Sequence, residues 1–239
     1  MACSTDEPIE PAASTSTPPA PSPSTPRARA LERHLIGHAK VDDVRIYSAP
    51  REGSTVVATF GRVNDQGAPQ VFLLQPDERG PDGALPEGAR WVNALLPVRP
   101  NGTTGYLRVR DIEVFATDYR LEVDRAKFRL TLFEGHKRVL SVPVGIGTGD
   151  TPTPTGRFYL ASLLEPPDPD TIYGPYAYGL SGYSETLLDW KGGGIIGLHG
   201  TNAPDSIGRP SSHGCIRMRN EDIKKLVPLL PLGTPIDIR

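Results

Sequence analysis

Cysteine is almost missing from this chain, with two in 239 residues, Cys3 and Cys215. Two cysteines, one of them in a polar terminal stretch, make no disulfide framework, so Cys215 is expected as a free thiol, either small buried filler or chemistry. No run of eighteen apolar residues occurs, so no segment reads as a membrane-spanning helix. Charge of one sign is also lacking. The 26 basic and 28 acidic side chains are interspersed and the formal net charge is -2, which leaves no electrostatic footprint for wrapping a nucleic acid. Internal repeats are not visible, and helical patterning is scarce. Only "NEDIKKLVPLL" reads as a helix, with Asn220 as its cap, Glu221 and Asp222 at the positive end and Pro228 as its stop.

Glycine and proline are plentiful at 25 and 26 residues, and Val, Ile, Thr and Tyr recur in short runs. That mixture predicts a mainly β fold of short strands and tight turns. Residues 1–33 are rich in Ser, Thr, Pro and Ala and bury too little apolar surface to offset ordering, so they are expected to form a flexible tether. Cys3, followed by Ser and this tether, resembles the mature end of a bacterial lipoprotein; the alternatives are a lipid-attachment site or an incidental terminal residue. Residues 34–117 carry strand-length runs separated by turn residues, "VRIYSAP", "TVVATFGRV", "QVFLLQP", "RWVNALLPV" and "GYLRVRDIEVF". They predict a small β-barrel or sandwich. "RIYSAP" and "TTGYLRVRDIEV" resemble a bacterial Src-homology-3-like domain, in which Trp91 and Tyr106 would either line a groove or fill the core.

Residues 118–239 form the second expected unit. "YRLEVDR", "FRLTLFEG" and "RVLSVPVGIG" read as strands, with His136 in an exposed turn, and "TGDTPTPTG" as a rigid loop whose prolines forbid a helix. Tyr173, Tyr176, Tyr178 and Tyr183 cluster in a loop-rich segment that would cover a cleft or pack beneath it. "GGIIGL" reads as a strand that delivers His199 to a sheet edge, and the Gly/Pro-rich connection after it lets His213-Gly214-Cys215 fold back alongside.

A neutral thiol is a modest nucleophile until a base or a positive environment makes the thiolate. Three readings therefore compete for "HG…SSHGCIR": a buried cysteine with turn histidines, a metal site of His199, His213 and Cys215, or nucleophilic catalysis by Cys215 with His199. The spacing of one residue between His213 and Cys215, with no further cysteine or carboxylate at a familiar ligand interval, disfavours metal. The compact run of Ser, His, Gly and Cys disfavours filler.

"HG" followed by "SHGCIR", with "VPVGIGTGDTPTPTG" upstream, resembles the YkuD-type L,D-transpeptidase catalytic domain over residues 118–239. The resemblance implies a YkuD-like β-sandwich with one short helix, acting on peptidoglycan stem peptides without cofactor. Carried over, Cys215 is the nucleophile, His199 the general base, and Gly200 the residue whose carbonyl orients the imidazole. Ser212, His213 and Gly214 would shape the pocket, with the N–H groups of Gly214 and Cys215 as oxyanion donors. Arg217 stands where the common signature has Asn, leaving a substrate carboxylate or a structural acidic partner as its ligand. The implied reaction is acyl transfer through a thioester, releasing D-Ala and forming 3→3 cross-links, or hydrolysis where water is the acceptor. Carbapenem-type β-lactams would acylate the same thiol, and an extracytoplasmic location, in the wall or periplasm and possible membrane tether through Cys3, would follow.

Overall fold

The computed structural model describes residues 33–188 and 193–239. The Pro/Ser/Thr-rich stretch up to residue 32, with Cys3, lies outside the described residues. Seven strands form the first sheet: β1 (His34–Ala39), β2 (Val44–Tyr47), β3 (Val56–Phe60), β4 (Val71–Leu74), β5 (Trp91–Leu95), β6 (Thr104–Arg108) and β7 (Ile112–Thr117). Every pairing is antiparallel, in the order β3-β2-β6-β5-β4-β1-β7.

Side-chain alternation explains which residues this sheet buries and where. In β4, Phe72 and Leu74 enter the sheet's own core, together with Leu35, Val44, Ile46, Val92, Ala94, Leu107 and Ile112. The intervening Val71 and Leu73 point the other way, into a second cluster with Ile36, Leu95, Tyr159 and Ala161. Both faces of β1 and β4 are therefore covered, which is why "HLIG" and "VFLL" lack an apolar-polar alternation. The first strand, His34–Ala39, falls before the strand runs read from the sequence, which begin at Val44. A further difference concerns "GYLRVRDIEVF", which reads as one strand. A single 3₁₀ turn at Val109–Asp111 splits it, carrying the chain from β6 inside the sheet to β7 at its edge. Trp91 lies edge-on to Tyr47 at 5.1 Å, with the Arg108 guanidinium over both rings and paired to Glu52. Tyr106 is the strand partner of Tyr47.

The second unit contains β8 (Tyr119–Asp124), β9 (Arg129–Glu134), β10 (Lys137–Pro143), β11 (Ile146–Gly147), β12 (Gly156–Leu164), β13 (Ala177–Tyr183), β14 (Ile195–His199), β15 (Pro210–Ser212), β16 (Ile216–Arg217), the helix α1 (Asn220–Leu226) and β17 (Pro235–Ile238). Eight of these strands make one sheet, β10-β9-β8-β17-β12-β13-β14-β16, and β11 pairs with β15 beside it. Two pairings in the large sheet are parallel, β17 with β8 and β14 with β16. His136 occupies the exposed β9–β10 turn.

A core of Leu121, Leu130, Leu132, Phe158, Leu160, Tyr178, Leu198, Ile216 and Met218 is closed by Ile223 and Leu226 of α1. Each such side chain stabilises the fold by about 1.5–3 kcal/mol through burial. The helix stops before Pro228, with Val227 as its C-cap, but its start differs from the sequence expectation. Arg219 is the N-cap and makes no side-chain capping bond. The Asn220 carboxamide instead accepts the Thr201 N–H at 2.7 Å. Against the first unit, the buried Tyr159 hydroxyl donates to the Val71 carbonyl at 3.1 Å.

Candidate active site

The thiol and the imidazole meet because the strand carrying one is the parallel neighbour of the strand that follows the other. Leu198 pairs with Ile216 and His199 with Arg217, which leaves Cys215, one residue before β16, opposite Gly197. The Gly197 N–H donates to Cys215 Sγ at 3.3 Å. A Cβ placed on Gly197 would stand 3.2 Å from His199 Cδ2 and 3.5 Å from Cys215 Sγ. Sulfur and ring thus lie against the same Cα, and a side chain there would crowd between them. "IIGLHG" needs its first glycine for this reason, a signal the sequence carries but that strand periodicity does not expose.

His199 is almost completely buried, and its Nδ1 lies 2.5 Å from the Gly200 carbonyl. A carbonyl can only accept, so Nδ1 carries the proton and Nε2 keeps its lone pair. The carbonyl is itself held. Gly200 N–H donates to Tyr176 O at 3.1 Å, and the next amide, Thr201, is tied to Asn220. Gly174 must also be glycine, since a Cβ there would lie 2.7 Å from both the Gly200 Cα and the Thr201 nitrogen. The Tyr173 ring stands edge-on to the imidazole at 5.2 Å.

Burial pushes the His199 pKa down to about 4; the Gly200 bond opposes this and the nearby Arg217 charge assists it. Burial also raises the Cys215 pKa, against the opposing pull of the Gly197 N–H and Arg217. Both shifts favour neutral groups.

Around the thiol, the run after Pro210 is fastened from two sides. Ser212 Oγ donates to the Cys215 carbonyl at 2.6 Å and accepts the Gly214 N–H at 3.1 Å. The Gly214 N–H, expected as an oxyanion donor, is thus engaged by the serine, and Gly214 is buried with a φ of 115°. The loop after β11 provides the other fastening. Thr153, 1% exposed, donates to Gly214 O at 2.8 Å and accepts the Gly147 N–H at 2.9 Å. Thr153 bolts a segment that the sequence marks only as a rigid loop.

The resulting cleft has Ser212, His213, Cys215, Arg217 and His199 along its floor. Ile172 and Tyr173 also line it, as does a wall from the β13–β14 connection and the start of β14: Ser184, Leu187, Gly194, Ile195 and Ile196. The four tyrosines divide accordingly. Tyr173 faces the cleft, Tyr176 packs against the core, Tyr178 is buried with its hydroxyl on Leu230 O, and Tyr183 turns toward the first unit. Arg217 Nε is buried and has no protein partner among the described residues. Among the described residues no three His, Cys, Asp or Glu side chains stand together to hold a metal ion.

Residues 118–238 match the family model of the YkuD L,D-transpeptidase catalytic domain. That is half of the sequence. The chain belongs to the L,D-transpeptidase family. A Bacillus licheniformis protein bearing the L,D-transpeptidase name YkuD is 35% identical over 120 residues, covering 50% of this chain and 65% of its own length. Its Bacillus subtilis namesake is 32% identical over 151 residues, covering 61% of this chain and 84% of its own length. A solved structure, Bd1075 of Bdellovibrio bacteriovorus, is 34% identical with a TM-score of 0.41, covering 52% of this chain and 47% of that one. The "HG" and "SHGC" segments that carry the resemblance in the sequence are the two that β14 and β16 bring side by side.

Proposed function

We propose that this protein forms 3→3 cross-links between peptidoglycan stem peptides through a Cys215 thioester. The observation that carries the reading is the shared seat of Cys215 Sγ and the His199 ring against Gly197, with His199 locked as the Nδ1–H tautomer. The thiol attacks the carbonyl between the L-centre of the donor stem's diamino acid and its D-Ala. Its proton passes to His199 Nε2 as the C–S bond forms. Returning that proton to the departing amine breaks the C–N bond and releases D-Ala. The side-chain amine of a second stem then attacks the thioester and gives its proton to His199; the C–S bond breaks as the new amide forms, and His199 returns the proton to the sulfur.

A buried, neutral pair suits this sequence, because the proton moves only when the substrate carbonyl arrives and water is displaced. With Gly214 N–H engaged by Ser212, the Cys215 N–H is the donor left in the loop to meet the developing oxyanion. Arg217 offers its unpartnered Nε–H to a stem carboxylate. Ser212 acts by holding the Cys215 carbonyl, and His213 by lining the floor. Such substrates lie outside the cytoplasmic membrane, so the protein works there, and lipidation at Cys3 would keep it near the membrane surface. No cofactor is required.

The test is incubation with a tetrapeptide stem and an amine acceptor, followed by mass spectrometry. Cross-linked product with release of one D-Ala per bond is expected; release without cross-linking would instead assign an L,D-carboxypeptidase. A carbapenem should add its mass to the wild type and not to Cys215→Ala. A folded wild type that acquires no adduct and releases no D-Ala would leave a catalytically inactive wall-binding protein.

A further inference from the structure

The connection between β5 and β6, residues 96–103 of the first unit, reaches across to the cleft of the second. Arg99 donates from Nη1 to the Ser184 carbonyl at 2.8 Å and from Nη2 to the Gly193 carbonyl at 2.9 Å. These are the two legs of the β13–β14 connection, joined by Ser184 N–H to Gly194 O at 2.7 Å. The same guanidinium lies 4.7 Å from the Tyr183 ring centre. Two residues on, the Asn101 carboxamide treats Tyr183 as a neighbouring strand would: Nδ2 donates to Tyr183 O at 2.8 Å and Oδ1 accepts Tyr183 N–H at 2.9 Å. The Tyr183 hydroxyl completes the contact on Pro97 O at 2.8 Å.

What this clamp grips is functional surface. Ser184, Gly194 and Ile195 line the cleft, and β14 runs from Ile195 directly to His199. Gly194, with φ of 71°, is seated so closely that a Cβ would stand 2.9 Å from Arg99 Nη2. Without the clamp, the carbonyls of Ser184 and Gly193 and both main-chain groups of Tyr183 would need other partners, and the wall would be free to drift from the thiol. The catalytic pair has its own supports in Gly200, Asn220 and Thr153, none of which touches the clamp.

We propose that Arg99 and Asn101 are positioning residues by which the first unit sets the Ser184–Ile195 wall of the catalytic cleft and so the binding of the stem peptide. The proposal rests on the stem-peptide reading above. It assigns the first unit a part in the site itself, separate from any role as a spacer.

The test uses the full chain and four readouts: KM and kcat for a tetrapeptide stem, the rate of Cys215 alkylation by iodoacetamide, and amide exchange at Tyr183 and Ile195. Arg99→Ala is expected to raise KM about tenfold, short of the roughly hundredfold that a misplacement of about 1 Å can cost where it reaches the reacting atoms, while kcat and alkylation change less than about twofold. Arg99→Lys, a point charge that cannot bridge both carbonyls, should fall between. Asn101→Ala should raise Tyr183 amide exchange at least tenfold. A KM unchanged in Arg99→Ala overturns the proposal, and so does a joint fall of kcat and alkylation, which would show general loosening. If Arg99→Ala fails to fold, Asn101→Asp, which keeps the acceptor and loses the donor, carries the same KM test. Should the wild type turn over no stem peptide while a carbapenem still acylates it, the substrate reading fails separately. Exchange then decides the clamp, and unchanged protection at Tyr183 and Ile195 in both alanine variants overturns it.

Discussion

One buried imidazole sets the pH behaviour of the site. His199 has its pKa lowered from 6.5 to about 4 by burial, so the unfolded chain binds a proton that the folded one refuses between those values. Its contribution to stability is therefore complete above about pH 6.5 and lost as the pH falls through about 4. The loss is on the order of 3 kcal/mol. Urea melts at pH 7 and pH 4.5 should show this drop in the wild type and a smaller one in His199→Gln. The acid limb of carbapenem acylation should likewise fall near pH 4, not near 6.5. A limb at the ordinary histidine value would mean that the ring is exposed when it reacts. Of the residues that the fold brings together here, Cys215, His199 and the HG and HGC glycines were readable beforehand because they stand out in a cysteine-poor chain. Gly197, Thr153 and Asn220 did not stand out, because a space-making glycine, a bridging hydroxyl and a carboxamide look like ordinary strand, loop and cap residues until their neighbours are known.

Among the elements, α1 shows how local rules yield to tertiary ones. Asn220 has the right type and place to cap the helix, yet its Oδ1 bonds Thr201 and the helix begins from Arg219 without a side-chain cap. A buried amide with no partner costs about 1–3 kcal/mol, more than the cap is typically worth. Asn220→Ala should accordingly destabilise the protein by about 1–2 kcal/mol and raise the temperature sensitivity of acylation, as the Gly200 carbonyl loses its fixed aim at Nδ1. Asn220→Asp, which keeps the acceptor, should recover most of the stability at pH 7; thermal melts and acylation rates on the two variants check this. Short apolar runs between turn residues were legible as strands, β4 among them although both its faces are covered, whereas β1 and the 3₁₀ break before β7 were not, since no composition change announces them. The mainly β class with one short helix was legible throughout, since Gly, Pro and β-branched runs leave little else.

At the scale of the molecule, the two sheets are joined by shared interior. Ile36, Val71, Leu73 and Leu95 from one side pack with Tyr159 and Ala161 from the other, and the Tyr159 hydroxyl ends on Val71 O. Tyr159→Phe removes one of two side-chain donors from the buried Val71 carbonyl, which keeps Gln70 Nε2 at 3.0 Å, and should cost about 0.5–1.5 kcal/mol. Differential scanning calorimetry should record the cost as a lower temperature for a single shared transition; two separated peaks, with only one displaced, would contradict a common core. How strands 34–39 and 71–74 serve two interiors was invisible beforehand, because an uninterrupted apolar run does not say what lies on its far side. A joint of this kind has no swivel. Whatever surface the first sheet grips will dictate the compass bearing of the cleft mouth, so that attachment by one half becomes aim for the other.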